Sequence, residues 1–348
     1  MSTQGLGAPL EPDTLTDLLE SSYAGGDLQG VLDRLAAPGP ITAELLVAGA
    51  AVLRRHATEA RTPPNRVVVD IAVAGPRDES LLDLTIGAGL LVAACDGTVA
   101  ECGLLPDRAG GEALLGALGL PVQDSPRHAH DALERIGFAW LPGDPFHPEP
   151  TLRLLRLGAA TPLLALLTPL INPTGPRCHV IGVRDPAHTE ALARACGLLG
   201  AEGALVVSCG GTPFLGAHAD TIGHRWSDGR VSTFRHPASS RPADLSPSGG
   251  ATVDAARLES VFEGLKGPLA DAVSLNAGAA LWIGGVLPTF TEACRWARSR
   301  LGQKVDLSDF CDGALTSPNR TAPASDSTSR RSPHPPRGGT RRPRDRRG

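Results

Sequence analysis

Residues 66–73 read Arg-Val-Val-Val-Asp-Ile-Ala-Val. The run is β-branched and almost unbroken, as a strand reads when both of its faces are buried. Just before it, residues 61–66 (RTPPNR) contain consecutive prolines, which end any helix. A helical region therefore gives way here to a sheet-forming one.

Upstream of the break, residues 13–58 read as three helices. Asp13 is placed to cap the first, and Leu15, Leu18 and Leu19 give it an apolar stripe. The second covers Asp27 to Leu35. Thr42 caps the third, which continues through ELLVAGAAVLRRHA. Downstream, strands alternate with helices. Helices are expected at Leu82–Cys95, Gly110–Leu118, Ala129–Ile136 and Pro186–Leu199. Strands are expected at Thr98–Glu101, Phe138–Leu141, His179–Val183 and Ala204–Ser208. Asp228-Gly229 marks a hairpin tip. Helices at Val253–Leu265, Leu269–Ile283 and Thr289–Leu301 close the pattern. The alternation predicts an α/β fold with a mostly parallel sheet. The expected organisation is a small N-terminal helical domain over residues 1–62, a larger α/β domain over 63–316, and a tail over 317–348.

Composition narrows the class. Of 348 residues, 41% are hydrophobic but only 3% aromatic, so Leu, Val, Ala and Ile must build the core. Lysine stands only at Lys266 and Lys304; arginine supplies the other cations. The seven cysteines are odd in number and none forms a CxxC, which argues against a disulfide framework or a zinc site. The N-terminus has no basic-then-apolar leader. The longest apolar stretch, Leu163 to Ile171, is too short to span a bilayer. A cytoplasmic protein with reduced thiols and no membrane partner is expected. Nine Arg against two Asp give residues 317–348 a charge of +7, leaving −11 for residues 1–316 of the chain's −4. The tail is rich in Pro, Ser, Arg and Gly and poor in apolar groups, so disorder is expected. It reads either as a solvated appendage or as a weak, salt-sensitive contact for nucleic acid or another polyanion.

Four segments carry a resemblance when read in order and at their spacing. They are ITAELLVAGAAVLRRHA (Ile41–Ala57), TPLLALLTPLINPTGPRCHVIGV (Thr161–Val183), VVSCGGTPFLGAHADT (Val206–Thr221) and ADAVSLNAGAAL (Ala270–Leu281). Together they resemble the anthranilate phosphoribosyltransferase family over roughly residues 12–303. The resemblance implies a helical domain beside an α/β domain, with a small-molecule cleft between them and a homodimer formed through the helical domain. It also implies transfer of ribose 5-phosphate from phosphoribosyl pyrophosphate to anthranilate, a step of tryptophan synthesis, with Mg²⁺ as cofactor only where that ancestral activity is retained.

The family's functional motifs are altered here. Its GTGGD loop, where glycines let amides approach pyrophosphate, corresponds to Val73-Ala74-Gly75-Pro76-Arg77. Gly75 is kept, Pro76 lacks a donor, and Arg77 offers a guanidinium to an anion. The alternative is an ordinary strand-to-helix loop. The family's N-x-S-T stretch falls at Asp83-Leu84-Thr85-Ile86. Asp83 and Thr85 serve there either as polar substitutes or as helix caps. The KHGNRS motif becomes Glu101-Cys102-Gly103-Leu104-Leu105-Pro106, with Glu101 where the family has a lysine. Two unit charges about 4 Å apart interact by about 1 kcal/mol in water and about 4 at an effective dielectric of 20, and exchanging attraction for repulsion counts this twice. The family's Asp-Glu magnesium pair is replaced by Pro213 and Phe214, which ligate no hard cation through their side chains. His218 and Asp220 stand nearby. Thr161 takes the place of the arginine that binds the anthranilate carboxylate, and His147-Pro148-Glu149-Pro150 replaces a PAM-containing helix start.

The substrate-binding candidates are therefore Gly75, Arg77, Asp83, Thr85 and Gly103, with no assigned catalytic residue or metal ligand. Two functions are expected from this pattern. One is a glycosyl or phosphoribosyl transferase of altered specificity. The other is a catalytically inactive homologue that binds a ligand or regulates a partner.

Overall fold

Helix α1 (Pro12–Tyr23) is the first described element, followed by α2 (Leu28–Leu35) and α3 (Ala43–Arg55). The computed structural model describes residues 9–75, 84–104, 111–239 and 250–303. Glu11, not Asp13, occupies the cap position of α1, and Pro12 takes the first helical position, where its missing N–H costs nothing. Asp13 instead lies in the first turn, where a carboxylate favours the positive end of the helix dipole. Thr42 caps α3 as expected, accepting from the Leu45 amide at 3.2 Å.

The α/β part runs β1 (Val68–Val73), α4 (Leu84–Ala94), β2 (Thr98–Gly103), α5 (Gly111–Ala117), α6 (Pro126–Arg135), β3 (Phe138–Pro142), α7 (Gly143–Phe146), α8 (Glu149–Leu157), α9 (Pro162–Leu167), β4 (Cys178–Gly182), α10 (Thr189–Leu198), β5 (Gly203–Cys209), β6 (Thr221–Ser227), β7 (Arg230–His236), α11 (Ala251–Phe262), α12 (Pro268–Ile283) and α13 (Phe290–Arg300). One seven-stranded sheet results, in the order β3-β2-β1-β4-β5-β6-β7. The first five strands are parallel. β6 and β7 are antiparallel and form the expected hairpin. Arg66 precedes β1 instead of starting it and donates to the Glu134 carbonyl at 3.0 Å.

The unbroken apolar strands are explained by burial on both faces. Val69, Ile71, Val99, Val180, Leu205 and Val207 pack with α4, α5 and α11–α13. Ile181, Ala204 and Val206 pack on the opposite face with α1–α3 and α8–α10. Val68, Ala100, Ala139 and Leu141 complete that face with α6. The small-residue run in α12 lets α13 come close: a Cβ on Gly278 would lie 2.6 Å from the Cys294 Cα. The chain divides into two compact units, Met1–Thr316 and Ser317–Gly348. All of the second lies outside the described residues. No described helix is long and apolar enough to cross a membrane.

Candidate functional site

Strand order reverses between β1 and β4: β2 and β3 lie on one side of this pair, β5 on the other. In an open parallel sheet such a reversal leaves a crevice at the carboxyl ends of the strands, where ligands bind. Gly75 stands there, just past β1, with φ +105°, a value that favours glycine. A Cβ on Gly75 would meet the Ala165 side chain of α9 at 3.6 Å. The conformation is thus available to a backbone that approaches a ligand closely. Arg77 and Asp83 lie outside the described residues.

Thr85, in α4, and Glu101, on β2, are brought together. The Thr85 hydroxyl donates to Glu101 Oε2 at 2.8 Å. Glu101 is 2% exposed, so its carboxyl group is a fixed part of the interior under the loops. The two motifs that the resemblance assigns to phosphate binding therefore meet through an acidic hydrogen bond. Gly103 ends β2, and a Cβ there would fall 2.3 Å from Cζ2 of Trp140. Glycine at this position makes room for the indole of β3.

The segment after β5 crosses the end of β4. A Cβ on Gly182 would lie 1.7 Å from the Pro213 carbonyl oxygen, so the crossing needs glycine beneath it. Phe214 is 7% exposed and belongs to the main core. Asn276 of α12 pins the next residue from both sides: its Oδ1 accepts from the Leu215 amide at 3.1 Å, and its Nδ2 donates to the Leu215 carbonyl at 2.8 Å. Where the resemblance places magnesium carboxylates, this chain thus presents an apolar plug held by an asparagine. These residues do not fit a hard cation. Among the described residues no group of three or more His, Cys, Asp or Glu is placed to hold a metal. Asp220 accepts from the Ala238 amide at 2.9 Å. His218 lies 3.8 Å from the Cys209 sulfur, which is fully buried and itself donates to the Ala219 carbonyl at 3.3 Å.

One polar group at this end of the sheet had no role assigned by sequence reasoning. His147 follows α7, one turn on from Gly143, whose Cβ position is 3.1 Å from the Gly103 carbonyl. The ring is 2% exposed, and neither Nδ1 nor Nε2 makes a hydrogen bond. Burial pulls its pKa down to about 4, so the ring is neutral at physiological pH. A buried imidazole that satisfies neither nitrogen is costly, and a ligand that hydrogen-bonds it would recover that cost. Four of the thiols offer no comparable chemistry. Burial pushes Cys95, Cys196 and Cys294 up to about 12 and Cys178 to about 11, far from the thiolate.

Asn172 has a structural part to play near the crevice. It donates to the Ala100 carbonyl at 2.8 Å and accepts from both the amide and the hydroxyl of Thr174, tying the β4 approach to β2.

Comparison with known proteins agrees with this frame. Residues 65–303 match the family described as "Glycosyl transferase family, a/b domain". The anthranilate phosphoribosyltransferase of Desulfatibacillum aliphaticivorans is 30% identical over 310 residues, covering 85% of this chain and 91% of that protein. The crystal structure of the anthranilate phosphoribosyltransferase from Thermus thermophilus superposes with a TM-score of 0.76 at 28% identity, covering 88% of this chain and 97% of that one. The Saccharomyces cerevisiae enzyme, solved in complex with PRPP and Mg, shares the fold at a TM-score of 0.71 and 17% identity, covering 89% of this chain and 94% of that one. By matched length, sequence and fold, the chain belongs to the anthranilate phosphoribosyltransferase-like family of transferases.

Proposed function

We propose that this chain binds a small, largely apolar or aromatic molecule in the switch-point crevice and does not transfer ribose 5-phosphate from a magnesium complex of phosphoribosyl pyrophosphate. The observation that carries this reading is the Pro213–Phe214 plug, buried at the end of β4 and held there by Asn276. A leaving diphosphate needs cations placed before the reaction begins. Here the metal carboxylates are replaced by an apolar pair, and the lysine position carries buried Glu101. The neutral ring of His147 supplies a directional hydrogen bond, as ligand pockets that are mostly apolar require.

In this reading the ligand enters between the helical segment 1–62 and the α/β part 63–316. The protein works in the cytoplasm as a homodimer through its helical segment, and it acts as a sensor or a regulatory partner. Calorimetry with phosphoribosyl pyrophosphate plus Mg²⁺ tests it. The expected result is no metal-dependent heat, with binding of an aromatic acid or heterocycle alone. A metal-dependent signal in the micromolar range, or rescue of a tryptophan auxotroph lacking the transferase, would overturn it.

A second reading, a transferase of altered specificity, is favoured by Gly75, whose positive φ keeps the backbone shape of a ligand-approaching turn. Release of pyrophosphate on mixing donor with a panel of aromatic acceptors separates the two readings.

A further inference from the structure

Helices α11 and α12 enclose a groove of about 380 Å³ away from the crevice, lined by Val253, Val261, Leu265, Leu269, Arg257 and Lys266 among others. Its apolar content is unusual for this surface. Val253 is 50% exposed and Leu265 62%, two of only seven large hydrophobic residues exposed in the described chain. An exposed apolar groove with a charged rim is the signature of a docking surface.

The described chain ends beside it. The Gly302 amide donates to the Phe262 carbonyl at 2.9 Å, closing the end of α11. A Cβ on Gly264 would lie 3.0 Å from the Gly302 Cα, and Leu265, Lys266 and Gly267 follow directly as groove-lining residues. The next residues, 304–316, therefore start within a residue or two of the groove. They read Lys-Val-Asp-Leu-Ser-Asp-Phe-Cys-Asp-Gly-Ala-Leu-Thr. Val305, Leu307, Phe310 and Leu315 are apolar groups that water penalises. Asp306, Asp309 and Asp312 give the segment an acidic character that matches Arg257 and Lys266 on the groove. Thirteen residues reach about 40 Å when extended, more than the roughly 18 Å length of α11.

We propose that residues 304–316 of this chain dock in the α11–α12 groove, seating Leu307 and Phe310 on the surface formed by Val253, Leu265 and Leu269. The consequence extends to the crevice frame, because α11 packs on α5 and its Leu258 closes on Gly87 of α4. The strap would thus hold the helices that follow the two altered motif loops. This inference does not depend on what the crevice binds.

Hydrogen exchange on the full chain tests it, together with the single variants Leu265→Asp and Phe310→Asp and the double variant. Leu265 is 62% exposed, and circular dichroism of all the variants should match that of the parent. Amides of 304–316 should exchange at least about tenfold slower than in an unstructured peptide. Either substitution should abolish that protection, and the double variant should lose no more thermal stability than the worse single one. Unprotected amides in the parent, or additive losses, would overturn the proposal. So would protection that depends on protein concentration, with Leu265→Asp converting a larger species to monomer in light scattering, since a second copy would then fill the groove.

Discussion

Asp70 on β1 and His179 on β4 face each other in register across the two central strands, with Oδ2 and Nδ1 3.8 Å apart and both residues 2% exposed. They lie on the face covered by α3, whose Arg54 is mostly buried there and donates to the Leu170 carbonyl at 2.5 Å. Burial lowers the pKa of Arg54, and the Asp70 charge opposes that shift. Asp70, His179 and Arg54 thus set polar groups into a sheet face otherwise packed by apolar residues.

The two partners should respond differently to removal. The His179 Nδ1 makes no hydrogen bond, so His179→Leu replaces that unsatisfied nitrogen by an apolar group of similar size while Arg54 still faces the Asp70 charge, and is expected to cost less than about 1.5 kcal/mol. Asp70→Ala removes the carboxylate that faces both His179 and Arg54 and is expected to cost about 3 kcal/mol. Urea unfolding of the two variants checks the asymmetry. Equal losses would mean that the pair acts as a tight ion pair after all.

Gly103 and Trp140 make a steric prediction. With Cζ2 2.3 Å from the place of a Cβ, Gly103→Ala cannot be absorbed without moving the indole or β2. A loss of about 1–3 kcal/mol is expected from overpacking. Trp140→Leu should cost more by itself, yet Gly103→Ala should become nearly neutral in its presence. Denaturation of the single and double variants measures the coupling.

These cases show what the sequence carries and what it hides. The strand at 68–73 was legible because burial on both faces leaves a one-dimensional trace, an unbroken β-branched run. Thr42 was legible because a cap is a local device. Asp13 was misplaced because Pro12 already fills the first helical position and moves the cap back to Glu11. Helices α8 and α9 left no clear periodic signal between Pro148, Pro150, Pro162 and Pro169; in the structure Pro150 and Pro162 fall in opening turns, where proline is tolerated. Gly103 reads in sequence like a phosphate-loop glycine; only the packing of β3 on β2, where Pro142 is its register partner, reveals that the indole of Trp140 occupies the space of a Cβ there. The Thr85–Glu101 bond and the unsatisfied ring of His147 depend on contacts between distant segments, which spacing cannot encode.

Asn276 supports the plug through two hydrogen bonds to Leu215, and a third from Nδ2 to the Ala272 carbonyl of its own helix at 2.8 Å orients the side chain. Asn276→Leu leaves the buried amide and carbonyl of Leu215 without this partner. The expected cost is about 2–4 kcal/mol, with faster amide exchange concentrated in residues 209–220. A uniform rise in exchange across the sheet would instead mean that Asn276 stabilises the fold globally and not the segment that covers β4.

His147 gives the chain a specific acid sensitivity. Its ring is neutral in the fold, with a pKa of about 4 against an ordinary 6.5, and the cause is burial. The unfolded chain takes up a proton at the ordinary value while the folded one resists until about pH 4, so between those limits the unfolded state binds more protons and stability rises with pH. Stability is therefore complete above about pH 6.5 and declines as pH falls toward 4. At about 1.4 kcal/mol for each pKa unit, this group accounts for a loss of about 3 kcal/mol across that window. Carboxylates add their own acid sensitivity, so the informative quantity is the difference between the parent chain and His147→Met. The variant should lose less stability between pH 7 and pH 4.5, and a ligand that bonds His147 should raise the melting temperature of the parent but not of the variant. Parallel pH profiles for the two proteins would show that the ring meets water in solution, and the case for His147 as the polar anchor of the crevice would fail with it.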